Sequence, residues 1–334
     1  MKNLYILKYA VMSIFMMSVL NSCETPSNYE DETPSITNIA VTNPDFSTLE
    51  AAAVTGGVAV TLSNSNPNDA SGDYTVFAPT NDAFARLGLN PETLGVLQKP
   101  FLTNTLLYHV SNGNLAGSNI SEGDTSISAL GIDRRFISRD GATYINGSQI
   151  LATDVMASNG TVHVIDKVMI ATGVDIVQSA IALQSADVFI NPELSYLVEA
   201  VLYADLAGAL TASSGSPSFT VFAPSDQAFI DLGAALGFTF TEPADIRQLP
   251  ADLVATVLLN HVVANDGQFT PELSQGTITP LGGDALTLGA FSNGTITVTG
   301  VGNGGEVANM IIPDIQTTNG VVHVIDRVLL PNLE

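Results

Sequence analysis

The chain has 334 residues, of which 33 are acidic and only 10 basic, for a formal charge of −23 at neutral pH. So acidic a polymer excludes electrostatic binding to nucleic acid, anionic lipid or heparin-like polymers. Yet 46% of its residues are hydrophobic and only 13% charged, so it can bury real cores and is not an acidic disordered tail.

Lys2 and Lys8 mark a basic start, followed by an apolar run over residues 9–20 that is too short to cross a bilayer comfortably. The run ends Leu20-Asn21-Ser22-Cys23, the pattern of a secretory signal. Ser22 before the cysteine and Leu20 three positions before it resemble a bacterial lipobox; Asn21 departs from the usual residue. Cys23 is the one cysteine of the chain, so it has no disulfide partner within it. The resemblance implies a signal peptide over 1–22, lipidation of Cys23, and anchoring through several acyl chains. Residues 23–34 read as an acidic flexible tether. Glu24, Glu30, Asp31 and Glu32 resemble the export signal of surface lipoproteins; a plain solvated linker is the competing reading. Losing the signal removes two bases and no acid, leaving a still more acidic chain.

From residue 35, Ile36, Ile39 and Ala40, then Phe46, Leu49 and Ala53, predict two short helices around the Asn43-Pro44 break. Residues 64–72 form a polar loop. Thr75-Val76-Phe77 is a β-branched and aromatic run that predicts a buried strand. Pro79 ends it, Thr80 is placed to cap a helix, and Asp82 sits in its first turn. Pro79 and Phe84 have the spacing of a hydrophobic staple. A turn over 91–100 and an apolar helix over 101–107 precede Tyr108-His109-Val110. Strands follow to Ile170, with Asn146-Gly147 as a two-residue hairpin. Arg139-Asp140-Gly141 holds the letters of an adhesive tripeptide in the wrong order and is given no role. Only residues 171–174 separate this half from the next, so the halves are expected to touch.

The second half repeats the first. Thr220-Val221-Phe222-Ala223-Pro224-Ser225 returns the strand and cap. Leu258-Leu259-Asn260-His261-Val262 answers Leu106-Leu107-Tyr108-His109-Val110. Asn319-Gly320-Val321-Val322-His323-Val324-Ile325-Asp326 answers Asn159-Gly160-Thr161-Val162-His163-Val164-Ile165-Asp166. Asn191-Pro192-Glu193-Leu194 answers Asn43-Pro44-Asp45-Phe46. A helix is expected over 175–185, and a longer hairpin with a glycine-rich tip over 300–305.

These landmarks, twice in one order, resemble the fasciclin-1 (FAS1) domain. The resemblance implies an α+β chain of two tandem FAS1 domains, 35–172 and 173–334, each a twisted β-sandwich with helices packed on one side. It also implies candidate adhesion residues. In animal matrix FAS1 proteins a Tyr-His pair and an Asp-Ile pair are implicated in integrin binding; here they correspond to Tyr108-His109 and Asp314-Ile315, with Asp154-Val155 and His261 at the matching places. Asn260 replaces the tyrosine in the second half. The competing reading packs the aliphatic residue in the core and makes the Asp cap a turn.

Other chemistry is thin. All four histidines fall in the repeated landmarks, none with a second ligand at i+2 or i+4, so structural roles are favoured over a metal. Asn64, Asn66, Asn68, Asp69 and Asp73 supply oxygens, but the glycine and closing glutamate of a calcium loop are absent. Nucleophile-elbow, zincin and phosphate-loop motifs are missing. The expectation is a non-enzyme without cofactor or metal: a monomeric, lipid-anchored surface protein of the outer membrane. It would bind a protein or glycan in adhesion. The alternative is an accessory lipoprotein that binds polysaccharide or nutrient for an outer-membrane uptake system.

Overall fold

The computed structural model describes residues 33–185, 194–211 and 218–332. The signal, Cys23, the tether to residue 32 and Asn191-Pro192-Glu193 lie outside the described residues. The chain from Pro34 onward forms one body.

Domain one opens with helices α1 (Ile36–Thr42), α2 (Ser47–Gly56) and α3 (Ala59–Leu62). Strand β1 (Tyr74–Pro79) hands directly to α4 (Asn81–Ala85). The Thr80 hydroxyl accepts the Ala83 N–H, the expected cap. Helix α5 (Lys99–Tyr108) runs two residues further at its start and one at its end than the apolar run indicates, so Tyr108 is helical and His109 caps it. The strands follow: β2 (Val110–Asn112), β3 (Thr125–Ile127), β4 (Asp133–Arg139), β5 (Ala142–Ile145), β6 (Ser148–Ala157), β7 (Gly160–Ile165) and the short β8 (Ile170–Ala171). Strands β1 to β7 form one sheet in the order β2-β1-β7-β6-β5-β4-β3, in which β1 and β7 run parallel.

Domain two repeats this with α6 (Ile176–Ser185), α7 (Ser195–Tyr203), α8 (Ala207–Leu210), β9 (Phe219–Pro224), α9 (Asp226–Ala235) and α10 (Ala251–Leu259). Its strands are β10 (Val262–Ala264), β11 (Gly276–Ile278), β12 (Leu286–Leu288), β13 (Thr297–Thr299), β14 (Ala308–Thr317) and β15 (Gly320–Ile325). Their order, β10-β9-β15-β14-β13-β12-β11, matches the first sheet. Strand β8, from domain one, pairs parallel with β14. The last strand of one domain thus belongs to the sheet of the next.

Alternation along β1 builds two cores. Val76 and Ala78 face the helices. Phe77 faces the other way, against Phe136 of β4, Ile145 of β5 and Ile165 of β7. A strand buried on both faces reads as a continuous apolar run, which is why Thr75-Val76-Phe77 and its repeat stand out. The Asn-Gly pairs are explained the same way. Asn159 accepts the Ile36 N–H and donates to the Leu62 and Asn64 carbonyls, pinning the first helices to β7. Asn319 does this for Ile176 and Leu210. A Cβ on Gly160 would lie 2.0 Å from the Tyr74 carbonyl oxygen, and one on Gly320 would lie 2.1 Å from that of Phe219, so only glycine lets these strands enter.

Phe77 and Phe222 are fully buried. Phe77→Ala is expected to cost about 3–5 kcal/mol, read as a fall in denaturant midpoint. A loss under about 1 kcal/mol would contradict the two-core description.

Candidate functional site

The candidate adhesion residues converge on the junction between the domains. Tyr108 is fully buried at the end of α5. Its hydroxyl donates to Gln316 Oε1 in domain two and accepts from Asn146 Nδ2 at 2.7 Å. Gln316 also accepts from Asn146 and donates to the Asp133 carbonyl. Behind Tyr108 lies Arg134, a buried guanidinium with no carboxylate partner among the described residues. It donates to the Tyr108 carbonyl at 2.6 Å and to the Ser111 and Ser126 hydroxyls. Its guanidinium carbon lies over the Phe77 ring, 5.0 Å from the centroid. Burial pushes its pKa down to about 10. Domain two sets Val263 where domain one has Ser111, opposite the equivalent threonine, and among the described residues the Asn260 side chain bonds only to the Leu329 carbonyl.

Asp314 and Asp154 start from one geometry and end differently. Each backbone N–H donates to the histidine Nδ1 of the neighbouring strand, His323 and His163 respectively. Each carboxylate accepts a backbone N–H, from Thr270 and from Gly117. Asp154 stays exposed. Asp314 is reached by Lys167 of domain one, Nζ to Oδ2 2.6 Å, in an ion pair whose side chains are 7% and 8% exposed. The ammonium also donates to the Gly294 carbonyl and the Thr270 hydroxyl, using all three protons. Burial alone would raise the Asp314 carboxyl, but Lys167, His323 and the hydrogen bonds outweigh it and hold it below the usual carboxylate value. A Cβ on Gly147 would sit 2.0 Å from the Asp314 carboxyl carbon, so the hairpin glycine is also what admits Asp314 to the junction.

Around this pair the contact widens. Arg135 forms a two-pronged pair with Glu272 at 2.9 and 2.5 Å and lies over Phe269. Arg139 donates to the Pro271 and Leu273 carbonyls and lies 4.2 Å from the Phe291 centroid. The tripeptide given no role is thus an interdomain clamp. Asp140-Gly141 is its hairpin turn, both residues with positive φ. Arg86 donates to the Asn293 carbonyl. Tyr144 packs edge-on to Phe291, and Ile137, Phe269 and Val321 complete an apolar cluster shared by both domains. The four-residue link does bring the domains into contact.

A model of the fasciclin domain matches residues 44–171 and again 192–331. The chain belongs to the fasciclin domain family. Protein sll1483 of Synechocystis is 37% identical over 142 residues, 42% of this chain and 75% of that protein. Human periostin is 28% identical over 79% of this chain, and pig transforming growth factor-beta-induced protein ig-h3 is 29% identical over 78%. The chain spans 29% and 35% of those two proteins. A solved FAS1 domain pair from the insect cell adhesion molecule Fasciclin I aligns over 77% of this chain and 88% of that one, at 19% identity and a TM-score of 0.38.

Within each fasciclin domain the histidines are structural members. His109 donates from Nδ1 to the Thr105 carbonyl and accepts the Met169 N–H on Nε2. His261 does the same with Val257 and Leu329. His163 and His323 donate from Nε2 to the Leu115 and Gln268 carbonyls. Both nitrogens of all four rings are therefore occupied by backbone. The direct-contact adhesion role drawn from the resemblance needs exposed side chains, and here it meets a physical obstacle. Tyr108, His109, His261 and Ile315 are buried. Val155 is half-buried, Asp314 is sealed by Lys167, and Asp154 alone of the set is open to solvent. The 64–73 loop is a turn: Asp69 accepts the Ser71 and Asp73 N–H groups, and the Asn66 side chain is buried within it. Among the described residues no group of three or more His, Cys, Asp or Glu gathers as a metal site. Each fasciclin domain also has an apolar pocket between helices and sheet, partly open to the surface, about 80 Å³ beside Leu49 and Val110 and about 60 Å³ beside Leu197 and Val262.

Lys167→Met leaves a buried unpaired carboxylate and is expected to cost about 3–5 kcal/mol, while Lys167→Met with Asp314→Leu recovers most of it. Chemical denaturation of both variants measures this. Equal loss in the single and double variants would show that the pair is not coupled.

A second expectation concerns pH. Burial pushes His109 and His261 down to about 4, their backbone hydrogen bonds opposing it only in part. Unfolded imidazoles take their proton near pH 6.5. Between those values the unfolded chain binds more protons, so stability is full above about 6.5 and falls on acidification toward about 4. The denaturant midpoint should fall across that window, less steeply in His261→Gln. A flat profile from pH 7 to 5 would contradict neutral burial.

Proposed function

We propose that the chain is an extracellular binding module, tethered to the outer membrane through an acylated Cys23, that mediates adhesion by contacts to a surface protein or glycan. One observation carries this reading: the four histidines and the buried Asp314–Lys167 pair are consumed by structure. The four imidazoles are held by backbone on both nitrogens, and the buried carboxylate is neutralised by Lys167. Such a body offers its surface and its loops rather than a reactive centre. Fasciclin domains are associated with cell adhesion and extracellular binding, which supports the same reading. Among the described residues no helix is long and apolar enough to cross a membrane; the proposed anchor is the lipid at Cys23.

Cys23→Ser is expected to abolish fatty-acid labelling and release the chain from the membrane fraction. Cells carrying it should attach to a partner surface no better than a deletion strain. Retained label and membrane partition would overturn the anchor. Wild-type attachment by the deletion strain would overturn the adhesive role.

A further inference from the structure

The internal junction has two halves, and each domain carries a version of both. Domain one contributes a socket: Leu87 after α4, with Lys167, the residues after it and β8. Domain two inserts β14 into it. The backbone of β8 pairs with Ile315 and Gln316, the Thr172 N–H donates to the Gln316 carbonyl, and Lys167 binds Asp314.

The equivalent socket in domain two can be placed from the strand registers, which pair His163 with Phe77 and His323 with Phe222. Leu232, Arg327 and Leu330 stand where Leu87, Lys167 and Ile170 stand. The element that covers this face comes from domain two itself. The loop over residues 300–307 folds onto it. Asn303 donates to the Val328 carbonyl and accepts the Leu330 N–H, both at 2.9 Å. The Gly302 N–H donates to the Leu330 carbonyl at 2.9 Å. Glu306 pairs with Arg327 at 2.5 Å. The loop thus takes bonds of the kind that β14 makes in the internal junction, and Glu306 stands in for Asp314. The closure is shallow: Arg327 and Glu306 are 44% and 66% exposed, and a cleft of about 180 Å³ remains between the loop and α9.

The opposite half is open on domain one. Strand β6 is the counterpart of β14, yet residues 151–154 are exposed, with Leu151 at 52% and Met156 at 58%. Asp154, already oriented by the Gly117 and His163 contacts, has among the described residues no ammonium of the kind that Asp314 has.

We propose that the Arg327–Leu330 face of domain two is a self-association face, closed by its own 300–307 loop, whose occupant is β6 of domain one from a second copy. Two features select that occupant. The surface continues the interface the chain already uses between its own domains. The charges also match, Asp154 toward Arg327 as Asp314 toward Lys167. A head-to-tail contact of this kind does not close on itself, so opening the loop yields growing chains of molecules rather than a dimer.

The test replaces residues 300–307 with Asn-Gly in the full chain and follows mass against concentration by light scattering and sedimentation. Wild type should keep one mass. The shortened variant should grow with concentration, and Asp154→Lys added to it should weaken that growth at least ten-fold. A shortened variant that retains the wild-type circular dichroism and melting temperature but stays at the wild-type mass overturns the proposal. So does growth that Asp154→Lys leaves unchanged. Should the shortened chain not fold, Asn303→Ala with Glu306→Lys keeps the backbone length and removes the loop's hold on Val328, Leu330 and Arg327. It should associate with the same dependence on Asp154, and a folded form with unchanged mass again overturns the proposal.

Discussion

The structure depends on one buried charge pair, Lys167 with Asp314, which joins the closing segment of one fasciclin domain to a central strand of the next. Burying two charges is expensive, and the attraction offsets it only when the remaining hydrogen-bonding capacity is met. Here it is met: the ammonium has three acceptors and the carboxylate has the ammonium, a backbone N–H and a hydroxyl. Such an arrangement has one good geometry. Its consequence is orientation, and the apolar cluster of Ile137, Tyr144, Phe269 and Val321 adds the burial that holds the orientation in place.

The Tyr-His and Asp-Ile landmarks take on a different role at this junction. Tyr108 acts across it through Gln316, and Asn260, at the same place in domain two, donates instead to the Leu329 carbonyl of its own domain. The tyrosine is the version that reaches across the junction. Asp314 is likewise the junction version of Asp154. The shared backbone geometry around His163 and His323 prepares a carboxylate in both domains, and the neighbour decides whether it is buried or open.

The fold was legible because its signals are local and occur twice. A strand, a proline and a capping hydroxyl determine the β1–α4 corner within a few residues, and Thr80 and Ser225 both cap as their positions indicate. The junction was not legible, because its partners lie far apart along the chain: Tyr108 meets Gln316 across 208 positions and Lys167 meets Asp314 across 147. Arg139-Asp140-Gly141 illustrates the gap. Its Asp-Gly is a hairpin signal that sequence can supply, while the carbonyls that Arg139 reaches belong to another domain. One compositional signal was available. Arg86, Lys99, Arg134, Arg135, Arg139 and Lys167 fall in domain one, whereas domain two holds Arg247 and Arg327. In so acidic a chain that imbalance marks the side of the junction that supplies the cations.

Through this junction the two domains form one body of fixed geometry. The most direct test is the distance distribution between two spin labels, one at Asp124→Cys in domain one and one at Ser292→Cys in domain two, in a Cys23→Ser background. A fixed junction requires a single narrow distribution that broadens when Lys167→Met is added. A broad distribution in the otherwise wild-type chain, unchanged by Lys167→Met, would contradict it.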